Sequence, residues 1–203
     1  MSSLRYPATG FFRSGSLLCS LFLVISGLPG TAQEPPENPP VQWITYDGYG
    51  TEGYGRHIVL ISGDEEYRSE EALPQLAKIL AVHHGFKCTV LFAQDPARPG
   101  IVNPQVLDNI PGLEALRTAQ LMVIATRFRA LPDAQMEEID NYLRSGRPVI
   151  GLRTANHGFR FPVESKWHHY SVNKGTGPLS RKVLLWGWVI VWWGNAGAQV
   201  LAG

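Results

Sequence analysis

Cysteine is almost absent from this chain: Cys19 and Cys88 are the only two. Cys19 lies in an apolar stretch near the amino terminus, so a processed chain keeps Cys88 alone and has no internal disulfide even in an oxidising compartment. A surplus of one charge sign is also lacking, with 18 Lys and Arg against 17 Asp and Glu. That balance gives no electrostatic footprint for nucleic acid and no charged disordered tail. There is no internal repeat, and no apolar run reaches the roughly 20 residues that a membrane span needs. A stable span is therefore not expected once a signal is removed.

The amino-terminal stretch is organised like an export signal. Arg5 and Arg13 precede the apolar core Leu17–Ile25, and Gly30-Thr31-Ala32 offers a small-residue cleavage site. Residues 1–32 are expected to be a signal peptide directing the chain to the periplasm or the exterior, the alternative being a membrane anchor left by an uncleaved signal. Residues 33–53 read as a proline-rich linker after Gln33-Glu34-Pro35-Pro36-Glu37-Asn38-Pro39-Pro40. Folding is expected to begin near Val41 or Tyr54.

From Arg56 onward apolar runs alternate with helical patterns, the signature of βαβ units and a mostly parallel sheet. Strands are expected at Ile58–Ser62, Phe86–Ala93, Leu121–Ala125 and Pro148–Leu152. Leu73, Leu76, Ala77 and Leu80 mark one buried helical face, with Pro74 required within about the first turn and Gly85 as the stop. A short helix is expected over Gly112–Ala119. In a second long helix Asp133 is the expected N-cap, Met136, Ile139 and Leu143 share a face, Asp140 and Arg144 pair, and Gly146 ends it. The proline-bearing stretch Gln94–Pro111 is either a binding loop or a mobile surface loop.

Right-handed crossovers bring the loops after these strands to one edge of the sheet. Those loops carry Asp64-Glu65-Glu66-Tyr67-Arg68, then Asp95, then Thr126-Arg127-Phe128-Arg129, then Arg153-Thr154-Ala155-Asn156-His157. His157 suits a general base, a general acid or a metal ligand, or it caps the strand end. Asp64 and Glu65 can orient that histidine, hold sugar hydroxyls or share a divalent metal, whereas Glu70 and Glu71 suit the positive start of the following helix. Arg127, Arg129 and Arg153 either grip a substrate or neutralise the acids. Tyr67 either stacks on a pyranose or packs over the helix start. His83 and His84 suit the helix carboxyl end, and the neighbours His168 and His169 are a weak metal pair.

The segments VLISGDEEYRSEEALPQLAKIL and LMVIATRFRALPDAQMEEIDNYLRSGRPVIGLRTANHGF, in that order at successive strand tips, resemble the ThuA-like (trehalose utilisation) family, related in fold to class I glutamine amidotransferases. The resemblance runs from Arg56 to Phe161. It implies a flavodoxin-like three-layer α/β sandwich over residues 54–203 and a role in carbohydrate metabolism, with a small molecule, a sugar, as substrate. In that frame His157, Asp64 and Glu65 are the catalytic candidates, and Tyr67, Arg127, Arg129, Arg153, Thr154 and Asn156 the substrate-binding ones. The amidotransferase nucleophile has no counterpart, because the turn Leu152–His157 contains no cysteine. Past about residue 165 the family pattern fades: a glycine-rich Gly175–Gly177, an aromatic Trp186–Trp193 and no histidine near Trp193–Gly197. The carboxy-terminal part of the sheet is thus expected to be truncated or divergent. Two functions remain open, an exported sugar-processing enzyme and a non-catalytic carbohydrate- or partner-binding module that has lost its catalytic residues.

Overall fold

The computed structural model describes residues 40–172, 189–192 and 198–201. The expected signal segment 1–32, the glycine-rich run Gly175–Gly177 and Trp193–Gly197 lie outside the described residues. Among those described, no helix is long and apolar enough to cross a membrane.

Strands β1 (Trp43–Tyr46), β2 (His57–Gly63), β3 (Lys87–Phe92), β4 (Leu121–Thr126), β5 (Val149–Leu152), β6 (Val189–Trp192) and β7 (Ala198–Leu201) form one sheet in the order β1-β3-β2-β4-β5-β6-β7. The four central strands are parallel, while β1 joins β3, and β6 joins β5, in antiparallel fashion. This α/β, mostly parallel arrangement follows from the sequence, since β2, β3 and β4 are nearly continuous apolar runs buried on both faces.

Two departures concern the sheet's edges. The segment read as linker contributes β1, whose aromatic and β-branched residues favour an extended edge strand beside β3. The sheet also continues past β5 through β6 and β7, where its remainder was expected to be missing.

Helix α1 (Ser69–His84) covers one face. It buries Leu73, Ala77 and Ala81 over Ile58, Leu60, Val90 and Val123, and it ends at Gly85 with a left-handed φ of 73°. The 3₁₀ helix Leu113–Thr118 and α2 (Asp133–Arg144) cover the other, with Met136, Ile139, Tyr142 and Leu143 packed over Val59, Ile61, Met122 and Ile124. At about 1.5–3 kcal/mol per large apolar side chain buried, the α2 face holds the sheet more strongly than the alanine-rich α1 face.

Asp133 is the first residue of α2 and not its cap. Its carboxylate accepts the indole N–H of Trp167 at 2.9 Å and meets Lys166 at 3.0 Å. The stretch Gln94–Pro111 is tied down along its length, with backbone N–H groups of Gln94, Asn103 and Ala130 donating to carbonyls of Asn109, Ala93 and Leu107 at 3.1, 2.8 and 2.9 Å. Ile110 is fully buried. The loop is part of the body, neither lid nor loose surface chain.

Candidate functional site

The direction of strand addition reverses at β2: β3 lies on one side of β2 and β4 on the other, with the covering helices on opposite faces. Ligands of open α/β sheets bind outside the strand ends at such a switch point. Gly63 and Thr126 are the last paired residues there, and the ladder runs one step further through the Arg127 N–H to the Gly63 carbonyl at 2.9 Å.

Asp64 leaves β2 fully buried. Its Oδ1 accepts the N–H groups of Glu66 and Tyr67 at 2.8 and 3.2 Å, folding the tip into an Asx turn, and its Oδ2 accepts the Thr154 hydroxyl at 2.7 Å. The Thr154 hydroxyl also approaches the Thr126 carbonyl at 3.2 Å, so this buried side chain ties together the tips of β2, β4 and β5. Behind the turn Ser69 Oγ accepts the Asp64 N–H at 3.2 Å and contacts Ser62 Oγ at 2.8 Å. Asp64 and Thr154, expected as catalytic and substrate-binding residues, are both buried and hold the rim together through these bonds.

Glu65 is shared by two arginines, Arg127 through Nη1 and Arg129 through Nη2 at 2.6 Å. The hydrogen bond from Arg127 to Glu65 raises the Arg127 pKa above its ordinary value. Its Nε sits 3.0 Å from Glu66 Oε2 in a charge contact without hydrogen-bond alignment. Arg129 is wholly buried and donates to the carbonyls of Gly63, Pro104 and Val106 as well as to Glu65, the Pro104 and Val106 distances being 2.9 and 2.6 Å. Burial lowers its pKa, opposed by Glu65 and Asp64. Four of its five N–H donors are used and the side chain is inaccessible to solvent, so Arg129 is a clamp between the β2 tip and the loop at Pro104–Val106.

The solvent side of the rim is made of other groups. Tyr67 is 39% exposed, and the Arg153 guanidinium lies 4.6 Å from its ring centroid. The half-buried His157 packs its ring against Phe128, centroids 5.3 Å apart. None of the described residues hydrogen-bonds that imidazole. Burial first, then the Arg127 charge, lowers its pKa below 6.5, with Asp64 and Glu66 opposing. Asn156 is half-buried in the 3₁₀ turn Ala155–His157. That turn needs Gly158, because a Cβ there would sit 2.6 Å from Thr126 Oγ1. The Thr126 hydroxyl is itself buried without a hydrogen-bond partner among the described residues.

Phe128 and Arg160 escaped the sequence reading. Phe128 adopts a left-handed φ of 55°, unusual for a bulky residue, and carries two guanidinium groups on its ring, Arg127 at 4.4 Å and Arg160 at 3.9 Å. Phe128 had a signal in its place between two arginines at a strand tip. Arg160 had none, since it lies beyond the last loop.

Asp95 turns back on its own loop, accepting the Ala97 N–H at 2.9 Å and facing Arg98 at 3.3 Å. His168 and His169 bond backbone carbonyls of Phe161 and Lys166 through Nδ1 at 3.2 and 2.9 Å. Among the described residues no three His, Cys, Asp or Glu side chains are grouped to hold a metal ion. Cys88 is buried in β3, and burial pushes its thiol up to about 11, far from a thiolate nucleophile. No protein-family model, curated protein or solved structure matches the chain.

Proposed function

We propose that the chain is an exported ThuA-like domain protein that binds a small carbohydrate at the rim above the β2–β4 switch point. Three features support this reading. The parallel strands β3-β2-β4-β5 follow the flavodoxin-like order, and the quoted motifs fall at the tips of β2, β4 and β5. Tyr67 is exposed enough to stack on a sugar ring. The observation that carries the proposal is the His157 imidazole, free of hydrogen bonds from the described residues and gathered with Tyr67, Arg127 and Arg153 at that edge.

Asp64 and Glu65 favour binding over turnover. Both carboxylates are engaged by the frame, which leaves Glu66, itself held against Arg127, as the remaining carboxylate beside His157 at the rim among the described residues. General acid–base work on a glycosidic bond uses two such groups. The better-supported form of the proposal is thus a carbohydrate-binding module, with a His157-based enzyme as the second reading.

Titration calorimetry with glucose and trehalose, paired with NMR observation of the sugars over a day, tests both. Binding without turnover is expected, weakened at least tenfold in Tyr67→Ala. Turnover abolished by His157→Gln would establish the enzyme instead. Heats absent for these sugars and their acidic derivatives alike would remove the carbohydrate reading.

A further inference from the structure

The carboxylates of the rim are largely taken up by its own donors. A neutral sugar hydroxyl both gives and takes a hydrogen bond, so a neutral-sugar site needs carboxylates or amides able to accept. Here Asp64 is occupied by two N–H groups and the Thr154 hydroxyl, Glu65 by Arg127 and Arg129, and Glu66 stands against Arg127. These carboxylates are taken up with Arg127, Arg129 and the frame, while Arg160 has no carboxylate partner among the described residues and so leaves its own positive charge in excess.

Arg160 is exposed and has the Phe128 ring as its aromatic neighbour. Its position is built. The Phe128 N–H donates to the His157 carbonyl at 3.0 Å, the Arg129 N–H to the Gly158 carbonyl at 2.8 Å, and the Arg160 N–H to the Arg129 carbonyl at 2.9 Å. These bonds zip the tip after β4 to the segment after the 3₁₀ turn, and they hold Phe128 in its left-handed conformation. Such conformations are strained in non-glycine residues and gather at ligand sites. Arg127 and Arg160 both face this one ring, so their guanidinium carbons lie within about 8 Å of each other. Arg127 already meets Glu65 and Glu66, which leaves Arg160 as the cation of the pair able to take an outside anion.

We propose that the ligand of this rim is a sugar bearing an anionic group, carboxylate or phosphate, and that Arg160, seated on Phe128, determines specificity for that group. The proposal rests on the carbohydrate reading and adds the charge of the ligand to it.

The test is calorimetry on the full chain with glucose, glucuronate, glucose 6-phosphate and inorganic phosphate, at low and at physiological salt. One of the two anionic sugars is expected to bind at least tenfold more tightly than glucose, and which one does so separates carboxylate from phosphate. Arg160→Gln should bring it down to the level of glucose, and Arg160→Lys should restore part of the difference; thermal midpoints verify folding. Glucose binding as tightly as both anionic sugars, or a preference that survives Arg160→Gln, overturns this inference and leaves the carbohydrate reading standing. Inorganic phosphate binding that depends on Arg160 while no sugar binds would do the reverse, keeping the anion site and removing the carbohydrate.

Discussion

A guanidinium taken out of water is tolerated where its donors are used, and Arg129 meets that condition through three carbonyls and Glu65. Its removal should therefore act on stability before it acts on binding. Arg129→Met is expected to lower unfolding free energy by about 3–5 kcal/mol, because it takes one of the two arginines from the Glu65 carboxylate and leaves the buried carbonyls of Gly63, Pro104 and Val106 unpaired. Arg153→Gln, at an exposed site, should stay within about 0.5 kcal/mol. Urea midpoints of the two variants measure the contrast, and a loss below about 1 kcal/mol for Arg129→Met would refute the clamp. In sequence Arg127 and Arg129 look alike, two arginines flanking Phe128 at a strand tip. Their alternation sends one to the rim and the other into the body, and which goes inward depends on carbonyls of Pro104 and Val106 some 25 residues away. The meeting of Asp64, Glu65, Arg127 and His157 was legible because strand tips of a parallel sheet share an edge. The partner of each was not, because pairing among several acids and arginines is decided by distances that no local pattern encodes.

Elements were legible where a hydrophobic period fixed them and misplaced where a single residue had to mark a boundary. The buried face of α1 has Leu73 and Ala77 as read, but the helix opens at Ser69, so Pro74 is its sixth residue. A proline there denies the Glu70 carbonyl its i+4 donor, a defect the sequence reading avoided by starting the helix later. The earlier start has a tertiary cause: Ser69 is buried under β2, bonded to Ser62 and to the Asp64 N–H, which sets the first turn regardless of the proline. Pro74→Ala should then stabilise the protein by about 1–2 kcal/mol, less than the full proline–alanine difference of about 3 because the half-buried ring gives up packing. Thermal unfolding checks it at about 2–4 °C per kcal/mol, and a lowered midpoint would contradict the helix start. Asp133 and β1 follow the same rule. Trp167 and Lys166 draw the Asp133 carboxylate away from capping, and the free edge of β3 draws Trp43–Tyr46 out of an otherwise linker-like segment.

For the molecule as a whole, the sheet is the common support: one set of strand ends builds the rim, and the two faces bury separate cores under α1 and α2. Any ligand energy at the rim is transmitted through β2, β4 and β5 to a frame in which β3 lies one strand in from the edge, and Cys88 lies in β3. Its backbone is paired with Ile58 of β2 on one side and Tyr46 of β1 on the other, and its side chain is fully buried in the α1-side core. A thiol raised to about 11 leaves on the order of one thiolate in a thousand at pH 8 even before access is considered. Reaction with iodoacetamide then requires β3 to part from its neighbours, an event that exposes most of the core. Labelling of the Cys88 peptide, followed by mass spectrometry at pH 8, is expected to be very slow in buffer. It should accelerate with urea along the same slope as global unfolding measured by circular dichroism. A shallow slope would mean that β1 and β3 open locally while the rest stays folded, and rapid labelling in buffer with unchanged circular dichroism would be incompatible with β3 as an interior strand. Because the rim residues hang on β2, β4 and β5, a sugar that binds them should slow this labelling in proportion to its occupancy if opening is global, and leave it untouched if the β1–β3 edge opens alone.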